Sequence, residues 1–295
     1  MKVGFIGTGV MGNSLVNHLL AGGHEVSIYT RTASKAENLI EAGAEWKDSP
    51  KSVASDTEVV FTMVGYPSDV EEVYFGEEGI IENAKEGTVL IDLTTSRPEL
   101  AQRIFKSALQ KGLSALDAPV SGGDVGARNG LLSIMVGGEE STFKQMLPLL
   151  DLFGGNIVHQ GPAGAGQHTK MCNQIVIASN MMGVSESLIY ALKARLDPET
   201  VLLSISSGAA GSWSLSNLAP KMISRNFEPG FYIKHFIKDM KIAAEEAEAM
   251  GLELPALRLS LNLFESLAEK GYQDKGTQAL IVQYEDNNYK KPKTI

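Results

Sequence analysis

The sequence predicts an α/β N-terminal domain built on a mainly parallel sheet, joined by a long interdomain helix to an all-α C-terminal domain. Three observations predict it. Short apolar runs alternate with helical stretches through the first half of the chain. A glycine-spaced turn directly follows the first of those runs. Strand signals then stop after Gly161-Pro162-Ala163-Gly164-Ala165-Gly166, and helical periodicity takes over. The 295 residues exceed one typical core, and the glycine-rich stretch divides them into expected domains at 1–162 and 163–295.

Taken in order, residues 3–6 are a buried strand, and 11–21 have helical spacing closed by Gly22. A second strand follows at 26–30. Ser34-Lys35-Ala36-Glu37 has capping-box spacing, and Gly43 stops the helix it would open. Strands are expected at 58–64 and 88–92. Ser96-Arg97-Pro98-Glu99 repeats the capping pattern, with Pro98 tolerated in a first turn. Strands at 113–117, 131–136 and 156–159 complete the set. From Gln167 to about Leu196 one helix is expected, roughly 45 Å long and able to link two domains. Further helices follow at 198–207, 215–223, 236–250, 255–270 and 277–284, and the polar, basic tail 287–295 is expected to fray.

Charge narrows the partners. Acidic residues number 35 and basic ones 26, a net charge of -9. That opposes nucleic acid and anionic membrane as partners, since both require excess Lys and Arg. The N-terminus lacks a signal-peptide layout. No uninterrupted apolar stretch of membrane length is read, the richest, 175–184, being broken by Ser179 and Asn180. Cys172 is the single cysteine, so no intrachain disulfide is possible and a reduced, cytoplasmic protein is expected. The five histidines have no zinc-type spacing, and no metal is expected.

The first chemical motif is Gly7-Thr8-Gly9-Val10-Met11-Gly12, a G-x-G-x-x-G that leaves a strand and opens a helix. In that context it marks a Rossmann-type dinucleotide site. Gly7 permits the tight turn, Gly9 lets a pyrophosphate approach, and Gly12 lets helix and strand pack closely. The helix N-terminus offers N–H groups to the phosphates. At the end of the second strand, Thr30-Arg31-Thr32 carries no acid to bind ribose hydroxyls. A guanidinium grips a 2'-phosphate in a forked contact, so the cofactor expected is NADP rather than NAD. Met63-Val64 and Thr94-Thr95-Ser96, at the carboxyl ends of later strands, are further expected cofactor contacts.

Four more segments carry chemistry. Lys170, Asn173 and Gln174 share one helix face at the head of the long helix. A lysine beside two amides on an otherwise apolar helix suits a general acid or base. Asp117-Ala118-Pro119-Val120-Ser121-Gly122-Gly123 ends a strand, and the Ser121 hydroxyl with the Gly122 and Gly123 N–H groups makes a nest for a carboxylate. Trp213, with Ser212, follows a glycine-rich loop and either lines a substrate pocket or packs in a helical core. Lys238-Asp239-Met240 begins a helix in the second domain.

These pieces, in this order and spacing, resemble the beta-hydroxyacid dehydrogenase family, which includes 3-hydroxyisobutyrate dehydrogenase, tartronate semialdehyde reductase and the glyoxylate/succinic semialdehyde reductases. A Bacillus-type group of oxidoreductases in it shares Met63-Val64-Gly65-Tyr66-Pro67-Ser68-Asp69-Val70 and Gly208-Ala209-Ala210-Gly211-Ser212-Trp213-Ser214-Leu215-Ser216-Asn217. The resemblance implies Lys170 as catalytic acid/base, Ser121-Gly122-Gly123 as carboxylate holder, and Thr95 and Lys238 as cofactor contacts. It also implies an asparagine four residues after the lysine. Here Gln174 stands there, with Asn173 one residue earlier, so either amide is open as the substrate contact. The expected function is hydride transfer between NADP and a small carboxylate-bearing hydroxy acid or its aldehyde acid, in a homodimer or homotetramer. An imine-reductase-like enzyme and a non-catalytic NADP-binding module are the rivals.

Overall fold

The computed structural model describes residues 1–289. By contact, the chain separates into two compact units, Met1–Lys170 and the residues from Met171 onward.

The first unit is built on nine strands: β1 (Lys2–Ile6), β2 (Glu25–Tyr29), β3 (Glu45–Trp46), β4 (Val59–Thr62), β5 (Val89–Asp92), β6 (Ser114–Asp117), β7 (Val120–Ser121), β8 (Leu132–Gly138) and β9 (Gly154–Gly161). The parallel strands run in the order β3-β2-β1-β4-β5-β6. Strand β8 turns antiparallel against β6 and β7, and β9 pairs parallel to it. Helices Val10–Ala21, Pro67–Phe75 and Pro98–Gln110 are among the crossovers.

Alternation along the strands explains the layering. Val3, Phe5, Val59, Phe61, Val89 and Ile91 belong to one apolar cluster. Their neighbours Ile6, Val60 and Leu90 belong to another. Successive side chains leave opposite faces, so each central strand feeds two cores and reads as continuously apolar. Each fully buried Val, Leu, Ile or Phe contributes on the order of 2 kcal/mol.

The second unit is helical, with Pro198–Ile205, Trp213–Asn217, Ala219–Ile223, Ile233–Ala249, Pro255–Leu267 and Leu280–Tyr289. Its core gathers Met181, Leu188, Leu215, Met222, Phe236, Met240, Phe264 and Leu280. The helix Ala165–Lys193 begins in the first unit and supplies Met171, Ala178 and Met181 to the core of the second.

Several expectations are corrected. Neither predicted capping box forms. Residues 33–36 make a 3₁₀ turn before a short helix, Glu37–Glu41, and no side chain caps it. Helix Pro98–Gln110 starts on Arg97 with proline in its first turn, and the N–H of Ser96 is drawn away to Gln167. The segment 215–223 is two helices, because Leu218 ends one and Pro220 opens the next. Strands β3 and β7 were not foreseen, each being two residues long. By length, and by a mean hydropathy of 1.4 over its most apolar 18-residue window, the long helix is apolar enough to cross a membrane, although no uninterrupted apolar stretch runs through it; it supplies side chains to the core of the second unit. Of the tail expected to fray, the helix Leu280–Tyr289 takes up the start, and 290–295 lie outside the described residues.

Candidate active site

The glycine turn sits at the carboxyl end of β1. The N–H of Gly7 donates to Tyr29 O (2.8 Å), holding the turn against β2. Its φ of 100° is left-handed, and a Cβ there would stand 2.2 Å from Met63 O. A Cβ on Gly12 would lie 2.0 Å from Gly7 O, so helix and turn touch backbone to backbone. Gly9 is the opposite case, with nothing within 4 Å of a Cβ position. Beside it the Thr8 hydroxyl is buried and has no hydrogen-bond partner among the described residues. Gly9 also caps helix Val10–Ala21 with no side chain over the N–H groups, while Val10 is exposed and Met11 half-buried. An open space, an unpaired buried hydroxyl and uncapped amides suit a pyrophosphate. The residues present fit a dinucleotide.

Thr30 is half-buried, and Arg31 and Thr32 are exposed at the tip of β2. Arg31 is not bare. Its Nη1 lies 3.0 Å from Asp69 Oδ1, and Asp69 Oδ2 accepts the Tyr66 N–H at the head of helix Pro67–Phe75. Sequence reading found no acid at the strand tip. The fold brings one from the first turn of helix Pro67–Phe75, a contact that no local motif announces.

At the ends of β5 and β6 the polar groups are buried. Asp92 Oδ1 accepts from Thr94 N and the Thr62 hydroxyl, both at 3.0 Å. Thr94 Oγ1 accepts the Val64 N–H, tying half-buried Val64 and its neighbour Met63 to this loop. Burial pushes the Asp92 carboxyl up to about 6, against the pull of those donors. Asp117 is likewise pushed up to about 6 by burial, although its oxygens accept the N–H groups of Gly164 and Gln167 at 2.8 Å. It therefore caps the first turn of helix Ala165–Lys193.

Lys170 is one turn further along that helix. It is buried, and its Nζ donates to Val120 O at 2.8 Å. Ser121 is the next residue, paired with Ser133 across β7 and β8. Gly122 and Gly123 follow with φ of 133° and 62°, a path closed to side-chain-bearing residues at low cost. The structure thus brings Lys170 and the Ser-Gly-Gly turn together. Thr95 is half-buried in the loop that Asp92 anchors.

In the second unit Asn173 Nδ2 donates to Gln174 Oε1 at 2.7 Å, and Gln174 Nε2 donates to buried Asp239. Asp239 Oδ1 also lies 3.0 Å from Lys238 Nζ, so Lys238 is half of an ion pair and only 12% exposed. Both ends of the Gln174 amide are engaged within the protein. Trp213 is 59% exposed at the start of its helix, which overturns a core role for it. Ser212 caps that helix, its Oγ accepting the Leu215 N–H. Gln167, Asp92 and Asp69 were not singled out from sequence, and Asp239 only as the neighbour of Lys238. Only Gln167 had a signal, its place between the glycines and the lysine. No cluster of three metal-ligating side chains exists among the described residues.

Strand order and cradle together define the class, a protein with a Rossmann-type dinucleotide-binding domain. Comparison with known proteins narrows it. Residues 2–161 match the family described as the NAD binding domain of 6-phosphogluconate dehydrogenase. Residues 164–284 match that described as NAD-binding of NADP-dependent 3-hydroxyisobutyrate dehydrogenase. An uncharacterised Bacillus subtilis oxidoreductase, YkwC, is 61% identical over 94% of this chain and 96% of its own. The 2-hydroxy-3-oxopropionate reductase of Escherichia coli is 38% identical over 97% of both chains. Among solved structures, Mycobacterium tuberculosis 3-hydroxyisobutyrate dehydrogenase with L-serine is similar at a TM-score of 0.88 and 28% identity, covering 96% of this chain and 98% of that one. The chain belongs to the beta-hydroxyacid dehydrogenase family, as its motifs led us to expect.

Proposed function

We propose that this chain is an NADP-dependent oxidoreductase that interconverts a small 3-hydroxy acid, or a related hydroxy acid, and its semialdehyde. The observation that carries the reading is the ammonium of Lys170, buried and 2.8 Å from Val120 O, one residue before the Ser-Gly-Gly turn. The names of the relatives support the substrate class, since the E. coli protein is a reductase of a small hydroxy-oxo acid.

When bound, the dinucleotide gives up or receives the hydride. Every other task falls to the protein. The hydroxyl of Ser121 and the N–H groups of Gly122 and Gly123 hold the substrate carboxylate. Lys170 takes the hydroxyl proton in oxidation and returns it to the forming alkoxide in reduction. Asn173 orients the reacting oxygen, and Gln174, engaged by Asn173 and Asp239, holds Asn173 in place. Thr8 and the N–H groups around Gly9 bind the pyrophosphate. Arg31 exchanges Asp69 for a 2'-phosphate, helped by Thr30 and Thr32. We propose further that it works in the reducing direction, in the cytoplasm, as a homodimer or homotetramer.

The test is NADPH oxidation with glyoxylate, succinic semialdehyde, tartronate semialdehyde and methylmalonate semialdehyde. Turnover of at least one is expected, and its loss in Lys170→Ala while NADPH still binds. Tight NADPH binding with no turnover on the panel would instead leave a binding module.

A further inference from the structure

We propose that Gln167 is a positioning residue, clamping the loop 94–96 to the helix turn that carries Lys170 so that the seating of a dinucleotide on the loop is passed to the lysine. This rests on the function proposed above, in which the loop meets the cofactor and Lys170 moves the proton.

The clamp is visible bond by bond. Gln167 is fully buried. Its Oε1 accepts the Ser96 N–H at 2.9 Å, and its Nε2 donates to Thr94 O at 2.8 Å. One amide thus bonds the loop on both sides of Thr95. A buried amide left unpaired costs several times what a satisfied one contributes, so both bonds are firmly held. The backbone of Gln167 is fixed separately, because its N–H donates to Asp117 Oδ2 at 2.8 Å while Gly164 N–H donates to the other oxygen.

The helix turn also has no slack. A Cβ on Gly166 would stand 2.3 Å from Met135 O and 2.6 Å from Asp117 O, so the turn rests directly on β6 and β8. On the other side the loop is pinned by Asp92 to Thr94 N and by Val64 N to Thr94 Oγ1. The series Val64, Thr94, Gln167 and Asp117 therefore crosses the ends of β4, β5 and β6 without a gap. Lys170 is three residues beyond Gln167, about 4.5 Å along the axis, so a tilt of the turn displaces its ammonium. A misplacement of about 1 Å at a reacting group costs on the order of 100-fold in rate.

The decisive variant is Gln167→Met, which keeps the length and removes both polar groups. With NADPH and an accepted aldehyde acid, kcat is expected to fall about 10- to 100-fold. The Kd for NADPH and the KM for the aldehyde should each change less than about threefold. Hydrogen exchange supplies a readout without turnover. In the wild-type protein NADP+ should slow exchange at both 93–97 and 167–173, and in Gln167→Met at 93–97 alone. Gln167→Glu serves if the methionine variant does not fold: protonated, its carboxyl keeps the acceptor for Ser96 N–H and an O–H for Thr94 O, so the loss of kcat should be smaller at low pH and grow as the carboxyl ionises.

A kcat within about twofold of wild type in a folded variant overturns the inference. So does protection of 167–173 that persists without the amide, or that never occurs when NADP+ binds the wild type. Failure of the wild type to bind NADP+ at all, or full activity in Lys170→Ala, overturns the proposed function and this inference with it.

Discussion

One sheet edge carries two contrasting sites. At the tips of β1 and β2 it is open. Among the described residues, Gly9 faces empty space, the Arg31 side chain is 78% exposed, and the Thr8 hydroxyl lacks a partner. At the tips of β5 and β6 it is closed. Asp92, Asp117, Gln167 and Lys170 are buried, and each has protein partners. The difference follows from the tasks we assign. A ligand that brings its own charge completes an unfinished site. A proton donor has to be in place before the substrate arrives, and buried, satisfied hydrogen bonds keep it there.

The largest break in this contrast is expected from Lys170→Ala. Loss of a general acid/base should lower kcat by about 100- to 10,000-fold, with NADPH affinity nearly unchanged, as read by single-turnover kinetics and cofactor titration. Equal loss of both would erase the distinction between the two edges.

Next come two glycines inside the open edge. Gly12→Ala forces a methyl to within 2.0 Å of Gly7 O, and should cost about 3 kcal/mol of stability in a urea melt. Gly9→Ala meets no protein atom, so stability should move by less than about 1 kcal/mol. NADPH affinity should nevertheless drop about tenfold, because the methyl enters the space of the phosphates. Equal stability losses in the two variants would contradict the open cradle.

Arg31→Ala sharpens the cofactor side. Losing a charged contact worth about 1.5–3 kcal/mol should weaken NADPH about 10- to 100-fold. NADH, lacking the phosphate, should be weakened by less than about threefold. Similar losses for both cofactors would remove the 2'-phosphate assignment.

The last test reaches the closed edge through pH. Burial raises Asp92 in the folded protein to about 6. The fold then holds a proton that the unfolded chain has already released, so this group's contribution to stability is full below the ordinary carboxylate value near 4 and declines as pH rises towards about 6. Asp117 acts in the same direction. Asp92→Asn keeps the Oδ1 that accepts from Thr94 and Thr62 and removes the titration. Urea midpoints at about pH 4.5 and about pH 7 should differ less in the variant, by roughly 2 kcal/mol of unfolding free energy.

How far the sequence could be read follows the same division. The glycine turn, Arg31 and Lys170 each belong to a local pattern with one physical purpose, and the long strands to a strict alternation. Strands β3 and β7 are too short to show a period. The two capping boxes failed because spacing alone does not say which partner a serine's groups meet. At Ser96 the competing partner is Gln167, distant in sequence. Asp69 reaches Arg31, and Asp239 reaches Gln174, only once the chain has folded. Acceptors that close a buried network carry no spacing signal of their own.

The division between the compact units falls just after Lys170, inside an unbroken helix. Each residue of a helix advances the side chain about 100° around the axis. One amino acid inserted between Gln167 and Lys170 would leave every side chain of the set intact and swing the lysine to another azimuth. Sequence length across that single turn is therefore a phase setting, tolerant of exchanged residues and intolerant of added or deleted ones.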